Sequence, residues 1–272
     1  MILIRRGDEE PTLPAVRTAE LERVEALLTT KPKLKATDFG SEYACARTLL
    51  RARQHKKCCY CEKFVETKHE PVEHVRPKTA ARRSETQMDP GYWWLAWTWE
   101  NLLFCCTRCN TLKSTWYPLQ AGQPLQPQEH PPGRERPGLL DPSVDADDPI
   151  AHIQFRYITG RWIPTPRSGS RRGYETIRRI QLDRSDLLEL YQGMADLCND
   201  GIDRIRSAMT GNSPDRHAVW RDVLRRWLQP AKLLAGLYYD VFDDAFPRIV
   251  RHYHGVSLDE FAGTLTHRKA DR

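Results

Sequence analysis

No stretch of this 272-residue chain approaches the ~18 consecutive apolar residues that a membrane-crossing helix needs. The start, "MILIRRGDEE", lacks the pattern of a signal peptide, because arginines follow its short apolar run and acids follow those. No internal repeat is visible. With 40% hydrophobic and 29% charged residues, the chain has the composition of a globular protein of one large domain or two small ones. The expected location is cytoplasmic.

Against those absences stand eight cysteines. Without an export signal they imply a reducing compartment, where thiols bind metal more often than they form disulfides. Cys58-x-x-Cys61 and Cys106-x-x-Cys109 are two pairs separated by 44 residues. Each turn presents two sulfurs to one cation, and four thiolates make the closed tetrahedral site of a structural zinc. Cys59 and Cys105 lie beside these ligands, but only 58/61 and 106/109 have the two-residue spacing in both halves. Cys45 and Cys198 have no partner motif and are expected in the core.

The fold class expected is α+β, mostly α-helical. An N-terminal helical arm spans 1–56, with apolar spacing that predicts helices over 18–28 and 42–54. A Cys-bounded core follows at 57–119, then a linker over 120–140, whose 120–137 stretch is rich in Pro and Gln. Residues 141–185 hold a short hairpin turning at Thr159-Gly160 and a basic segment. A helical region runs over 186–272, with capping patterns at Asp183/Asp186, Ser213-Pro214 and Ser257/Glu260 and a break at Pro230. Asp141, Asp145, Asp147 and Asp148 lack the Gly and distal Glu of a calcium loop and read as a capped turn. Residues 51–116 carry twelve Lys or Arg against seven Asp or Glu, and 161–184 carry seven Arg against two acids. Positive charge around a candidate metal site suits a polyanion such as nucleic acid.

Between the cysteine pairs lies "EHVRPK". Glu73 is a hard oxygen ligand and His74 a base beside it; Asn101 follows an aromatic run, and Asn110 comes straight after the last cysteine. Glu73 and Asn110 are suited to holding one Mg²⁺ through oxygens. His74 would face the other side of a strand, because successive side chains alternate. Trp93, Trp94, Trp97 and Trp99 are suited to stacking on unpaired bases, although packing a small core is the expected role.

The segment resembles the HNH endonuclease (ββα-metal) superfamily, in the variant whose last His is replaced by Asn. More narrowly, "CCYCE", "EHVRPK", "GYWWLAWTWENLL", "CTRCN" and "LLDPSVDADDP" resemble the PtuB-like HNH nucleases of Septu and retron-linked anti-phage defence systems. The likeness runs from "IRRGDEEPTLP" to about residue 190. It implies a zinc-stapled ββα-metal core with His74 as general base, Glu73 and Asn110 as ligands of a catalytic Mg²⁺ or Mn²⁺, and Asn101 positioning the base. Many relatives have Asp at the Glu73 position. The implied reaction is metal-assisted hydrolysis of nucleic-acid phosphodiesters, DNA being favoured, with Arg76, Lys78, Arg108 and Lys113 as backbone contacts. Its activity is expected to rise through the His titration range near neutral pH. An ATPase encoded alongside is the implied partner, and Trp220, Trp227, Tyr238, Tyr239 and Phe242 offer a docking surface or a helical core. The competing reading is a non-catalytic zinc-knuckle module that only binds nucleic acid.

Overall fold

The extended segment Met1–Ile4 is buried, and the Ile4 amide donates to the Pro142 carbonyl at 2.6 Å. The computed structural model describes residues 1–66, 70–129, 135–211 and 213–246; the helix start expected at Ser257/Glu260 lies outside them. Helix α1 (Leu13–Leu28) begins earlier than its apolar spacing predicts, because Pro14 occupies the first turn, where a missing N–H costs nothing. It buries Leu13 and Val24. A 3₁₀ turn over Glu42–Ala46 leads into α2 (Arg47–Arg53), which buries Leu50. Cys45 lies on that turn and is exposed, contrary to the core placement expected for it; Cys198 is fully buried.

Strand β1 (Val72–His74) opens the Cys-bounded region, and a hairpin of β2 (Ala80–Arg82) and β3 (Met88–Pro90) follows. The chain returns as β4 (Leu102–Phe104), antiparallel to β1 with Glu73 opposite Leu103 and His74 opposite Leu102. All six residues of this pair are buried. At Phe104 the Gln54 amide takes the place of a further strand: its Oε1 accepts from Phe104 N at 2.8 Å and its Nε2 donates to Phe104 O at 2.7 Å. Helix α3 (Thr107–Lys113) then starts at Cys106, whose sulfur accepts from Cys109 N at 3.5 Å, and stops at Ser114 with φ 46°.

The described parts of the stretch expected as a linker, 120–129 and 135–140, pack on the core. They pair as β5 (Leu119–Ala121) and β6 (Arg136–Pro137), and Leu125 and Glu135 are buried. The aspartates after it form capped turns, as expected. Asp141 accepts from Ser143 N, Asp148 accepts from Ile150 N at the start of α4 (Pro149–His152), and Asp147 pairs with Arg172. The expected hairpin is β7 (Ile153–Ile158) with β8 (Arg161–Pro166). It turns at Thr159 and Gly160 with φ 49° and 80°, the left-handed pair that matches strand twist.

Five helices complete the described chain: α5 (Arg171–Ile180), α6 (Ser185–Asp196), α7 (Asn199–Thr210), α8 (Arg216–Trp227) and α9 (Ala235–Ala245). Ser170 caps α5 by accepting from Gly173 N, and Gln181 ends it in a left-handed conformation. The cap expected at Asp183 does not form: α6 starts from Arg184, whose guanidinium reaches the cysteines and Asp186. The N-cap expected at Ser213 falls two residues later, at Asp215, whose N–H donates to the Ser213 hydroxyl; α8 ends at Trp227, ahead of Pro230. Trp220, Tyr238, Tyr239 and Phe242 are buried, and Trp227 packs on the same core. Four of these five aromatics are thus part of the helical core, and Trp227 is half-buried against it.

Candidate active site and thiol cluster

The two CxxC turns meet. The sulfurs of Cys58, Cys61, Cys106 and Cys109 all lie within 4.8 Å of one another, and Cys58 also forms such a group with Cys59 and Cys105. A tetrahedral zinc with Zn–S of about 2.3 Å sets its sulfurs about 3.8 Å apart. Cys61 and Cys106 are separated by 3.9 Å, so these thiols could hold a zinc ion. Hydrogen bonds from Cys105 and Cys109 pull the Cys106 thiol down to about 4. The same set of contacts, Cys106 foremost, pushes Cys61 and Cys109 up. Four thiolates together therefore need a cation. Arg184 adds positive charge from α6, with Nη2 3.7 Å from the Cys109 sulfur.

Glu73 and His74 diverge from β1. The Glu73 carboxylate reaches α3, where Asn110 Nδ2 donates to Oε2 at 2.5 Å and Lys113 Nζ stands 2.6 Å from Oε1. Tyr60 Oη donates to the same Oε1 at 3.3 Å. Burial pushes the Glu73 carboxyl up, and Lys113 with the two hydrogen bonds pulls it back. The three donors, one of them an ammonium, favour the charged form of the carboxyl against that burial.

His74 turns the other way. Its Nε2 lies 2.9 Å from the Ala96 carbonyl oxygen, and its ring meets the Tyr43 ring edge-on at 4.7 Å. A carbonyl only accepts, so Nε2 carries the hydrogen and Nδ1 keeps its lone pair. Burial first, and then Lys78, push the His74 ring down to about 3. That direction favours the neutral imidazole in the folded chain.

Asn101, fully buried, holds the chain just beyond His74. Its Oδ1 accepts from Arg76 N at 2.7 Å, and its Nδ2 donates to Arg76 O and Leu95 O, each at 3.0 Å. One amide thus ties the segment after the histidine to the turn that carries Ala96. Of the four residues expected to grip a nucleic-acid backbone, two point inward. Arg76 pairs with buried Glu135 at 2.9 Å, and Lys113 pairs with Glu73 and donates to the His74 carbonyl. Their charges are spent on interior carboxylates. Arg108 is exposed on α3, and Lys78 is half-buried, donating to Tyr43 Oη at 2.8 Å.

Sequence reasoning missed Gln54, Tyr43, Arg184 and Glu135. Glu135 gathers Arg76, Tyr92, Tyr117 and the Leu125 amide around one buried carboxylate. In the sequence it is one of two acids in a segment read as a linker, set between Arg134 and Arg136, which gave no sign of burial.

Geometry thus defines a four-thiol cluster clamped to a two-strand, one-helix unit whose carboxylate and imidazole face apart. A curated sequence shares this chain's similarity: the Septu protein PtuB of Bacillus mycoides (strain KBAB4) is 36% identical over 149 residues, 53% of this chain. The match covers 48% of that protein, so the chain spans about half the length of the curated relative. No family profile and no solved structure matches.

Proposed function

We propose that this chain is an HNH-type endonuclease, hydrolysing nucleic-acid phosphodiesters as the effector of a bacterial anti-phage defence system. The observation that carries the reading is the divergence at β1. Glu73 meets Asn110 on α3, while His74 turns to Ala96 with Nδ1 unprotonated. The strand pair β1/β4 running into α3 supports a ββα reading, and similarity to a Septu protein supports the defence setting. An operon partner such as an ATPase follows from that setting alone.

Two side chains would hold a catalytic Mg²⁺ or Mn²⁺: the Glu73 carboxylate and, with its amide turned so that Oδ1 faces inward, Asn110. The donors fit a hard cation, and the position already attracts one, the Lys113 ammonium. When bound, the ion would offset charge on the phosphate and the departing oxygen. His74 Nδ1 removes a proton from water, and the Nε2–H bond to Ala96 fixes both tautomer and ring orientation. Asn101 keeps that turn and the segment after His74 in register. Exposed Arg108 and half-buried Lys78 are placed to contact phosphates without reading sequence.

Lys113 favours the competing reading, a binding module without catalysis, because its ammonium fills a position at Glu73 that a metal needs. Incubating the protein with Mg²⁺ or Mn²⁺ and a panel of plasmid, linear duplex, single strands and tRNA separates the two. Divalent-dependent cleavage that is lost in His74→Ala is the expected result. Binding without cleavage of any substrate would leave the module reading standing.

A further inference from the structure

Trp93 differs from its three neighbours. Trp94, Trp97 and Trp99 are buried, whereas Trp93 is half-exposed and lines an open groove of about 700 Å³ between the hairpin β2–β3 and the chain that leaves α1. That volume lies within the ~300–1,000 Å³ of small-ligand sites. Pro32, Leu34 and Met88 join Trp93 in its apolar lining, and Met88 is 55% exposed. The ring of Trp93 stands edge-on to that of Trp94 at 6.0 Å and 79°, a contact that restrains it. Gly91 follows β3 at the open end of the hairpin, on the groove wall, where a Cβ would lie 2.5 Å from the Ala80 nitrogen.

The charge lining the groove is positive. Lys33 and Lys78 line it, and its one acid, Asp89, is paired with Arg83 at 2.8 Å. Lys33 is exposed and makes no ion pair among the described residues. Lys78 uses one donor on Tyr43 Oη and sits 4.0 Å over that ring, which in turn touches His74. An ammonium has three donors, so Lys78 can also bind an anion. Aromatic face, apolar walls and cations side by side match one nucleotide: a flat base with a phosphate attached.

We propose that this groove holds one unpaired base of a single-stranded nucleic acid, stacked on Trp93 with its phosphate on Lys78 or Lys33. Lys78 bonds to Tyr43, whose ring meets that of His74, so a phosphate held on Lys78 would be linked to the imidazole through one side chain. This rests on the nuclease reading for its purpose, but not for its measurement.

Binding of labelled single-stranded DNA, single-stranded RNA and duplex DNA of one sequence, without added divalent cation, tests it by fluorescence anisotropy. Trp93→Ala should weaken single-strand binding roughly 5- to 150-fold, the range for loss of one base–aromatic stack, and leave duplex binding unchanged. Trp93→Phe should retain most of the affinity. An abasic position scanned along the strand should weaken wild type at one site and leave Trp93→Ala indifferent. Loss on DNA alone or RNA alone would identify the sugar and support the site equally. Should Trp93→Ala not fold, Met88→Glu places a like charge in the groove from an exposed position and should produce the same loss. Unchanged single-strand binding in a folded variant, or equal losses on duplex and single strand, overturns the proposal. If wild type cleaves nothing and the single-strand loss still appears, the groove stands and the nuclease reading falls.

Discussion

Asn110 donates to the carboxylate of Glu73 at 2.5 Å, joining the first turns of α3 to β1 across 37 residues of sequence. Lys113, one helical turn further, reaches the other carboxylate oxygen at 2.6 Å. The pairing of β1 with β4, followed directly by α3, brings all three to one point.

Lys113→Met should reveal whether a divalent cation and this ammonium share Glu73. Removing one member of a buried ion pair costs about 3–5 kcal/mol, because the remaining charge is left uncompensated. The variant is therefore expected to melt lower than wild type without divalent cation and to recover more than wild type when Mn²⁺ is added. Melting curves that ignore Mn²⁺ would count against a metal at Glu73.

His74→Ala should lose cleavage by at least about 100-fold, the usual contribution of a general base, while keeping its fold and zinc content. The side chain donates to one carbonyl and touches no cysteine of the cluster. Near wild-type cleavage by a clean preparation of this variant would remove the histidine from the chemistry. Asn110→Ala should also lose activity, with partial recovery at high Mn²⁺.

Zinc analysis should find about one ion per chain, as for any closed four-thiolate site. Cys61→Ser and Cys109→Ser should lose the ion and much of the stability of 57–119, since structural zinc binding is also folding energy. Near-ultraviolet circular dichroism of the tryptophans in that segment would report the loss. Cys59→Ser and Cys105→Ser should keep the zinc. If they lose it instead, the ion belongs to the group of Cys58, Cys59 and Cys105.

Asp240 gives stability a pH dependence. It accepts from Phe155 N at 2.8 Å and pairs with Arg167 at 2.5 Å. Burial nonetheless outweighs both partners and pushes its carboxyl up to about 6. The folded chain therefore binds this proton more tightly than the unfolded chain, whose Asp titrates near ~3.9. This contribution is fully present below about pH 4 and is lost as pH rises through about 6. Relative to Asp240→Asn, wild type should lose on the order of 2–3 kcal/mol between pH 4 and pH 7. A constant difference in chemical denaturation across that range would refute the assignment.

Local signals were legible wherever neighbouring residues do the work. The CxxC turns, the Thr159-Gly160 hairpin, the aspartate caps and the helix start near Ser213 all depend on partners a few residues away. Asp183 misled, because the residue after it is an arginine with a better use for its side chain among the sulfurs and Asp186. The C-terminal aromatics were ambiguous for a similar reason: spacing marks an apolar face without saying what covers it.

From the sequence alone came the thiol pairs, the adjacent carboxylate and imidazole, and the asparagine after the last cysteine. Those are matters of residue type and short spacing, which side-chain chemistry already constrains. Tertiary structure alone decided that Lys113 and Arg76 face inward, that Gln54 completes β4 from 50 residues away, and that Glu135 reaches Arg76 across 59. It also left Trp93 half-exposed while burying the three tryptophans beside it. Burial depends on which distant surfaces meet, and an uncompensated buried charge or amide is too costly to persist, so these partners appear only once the chain has closed.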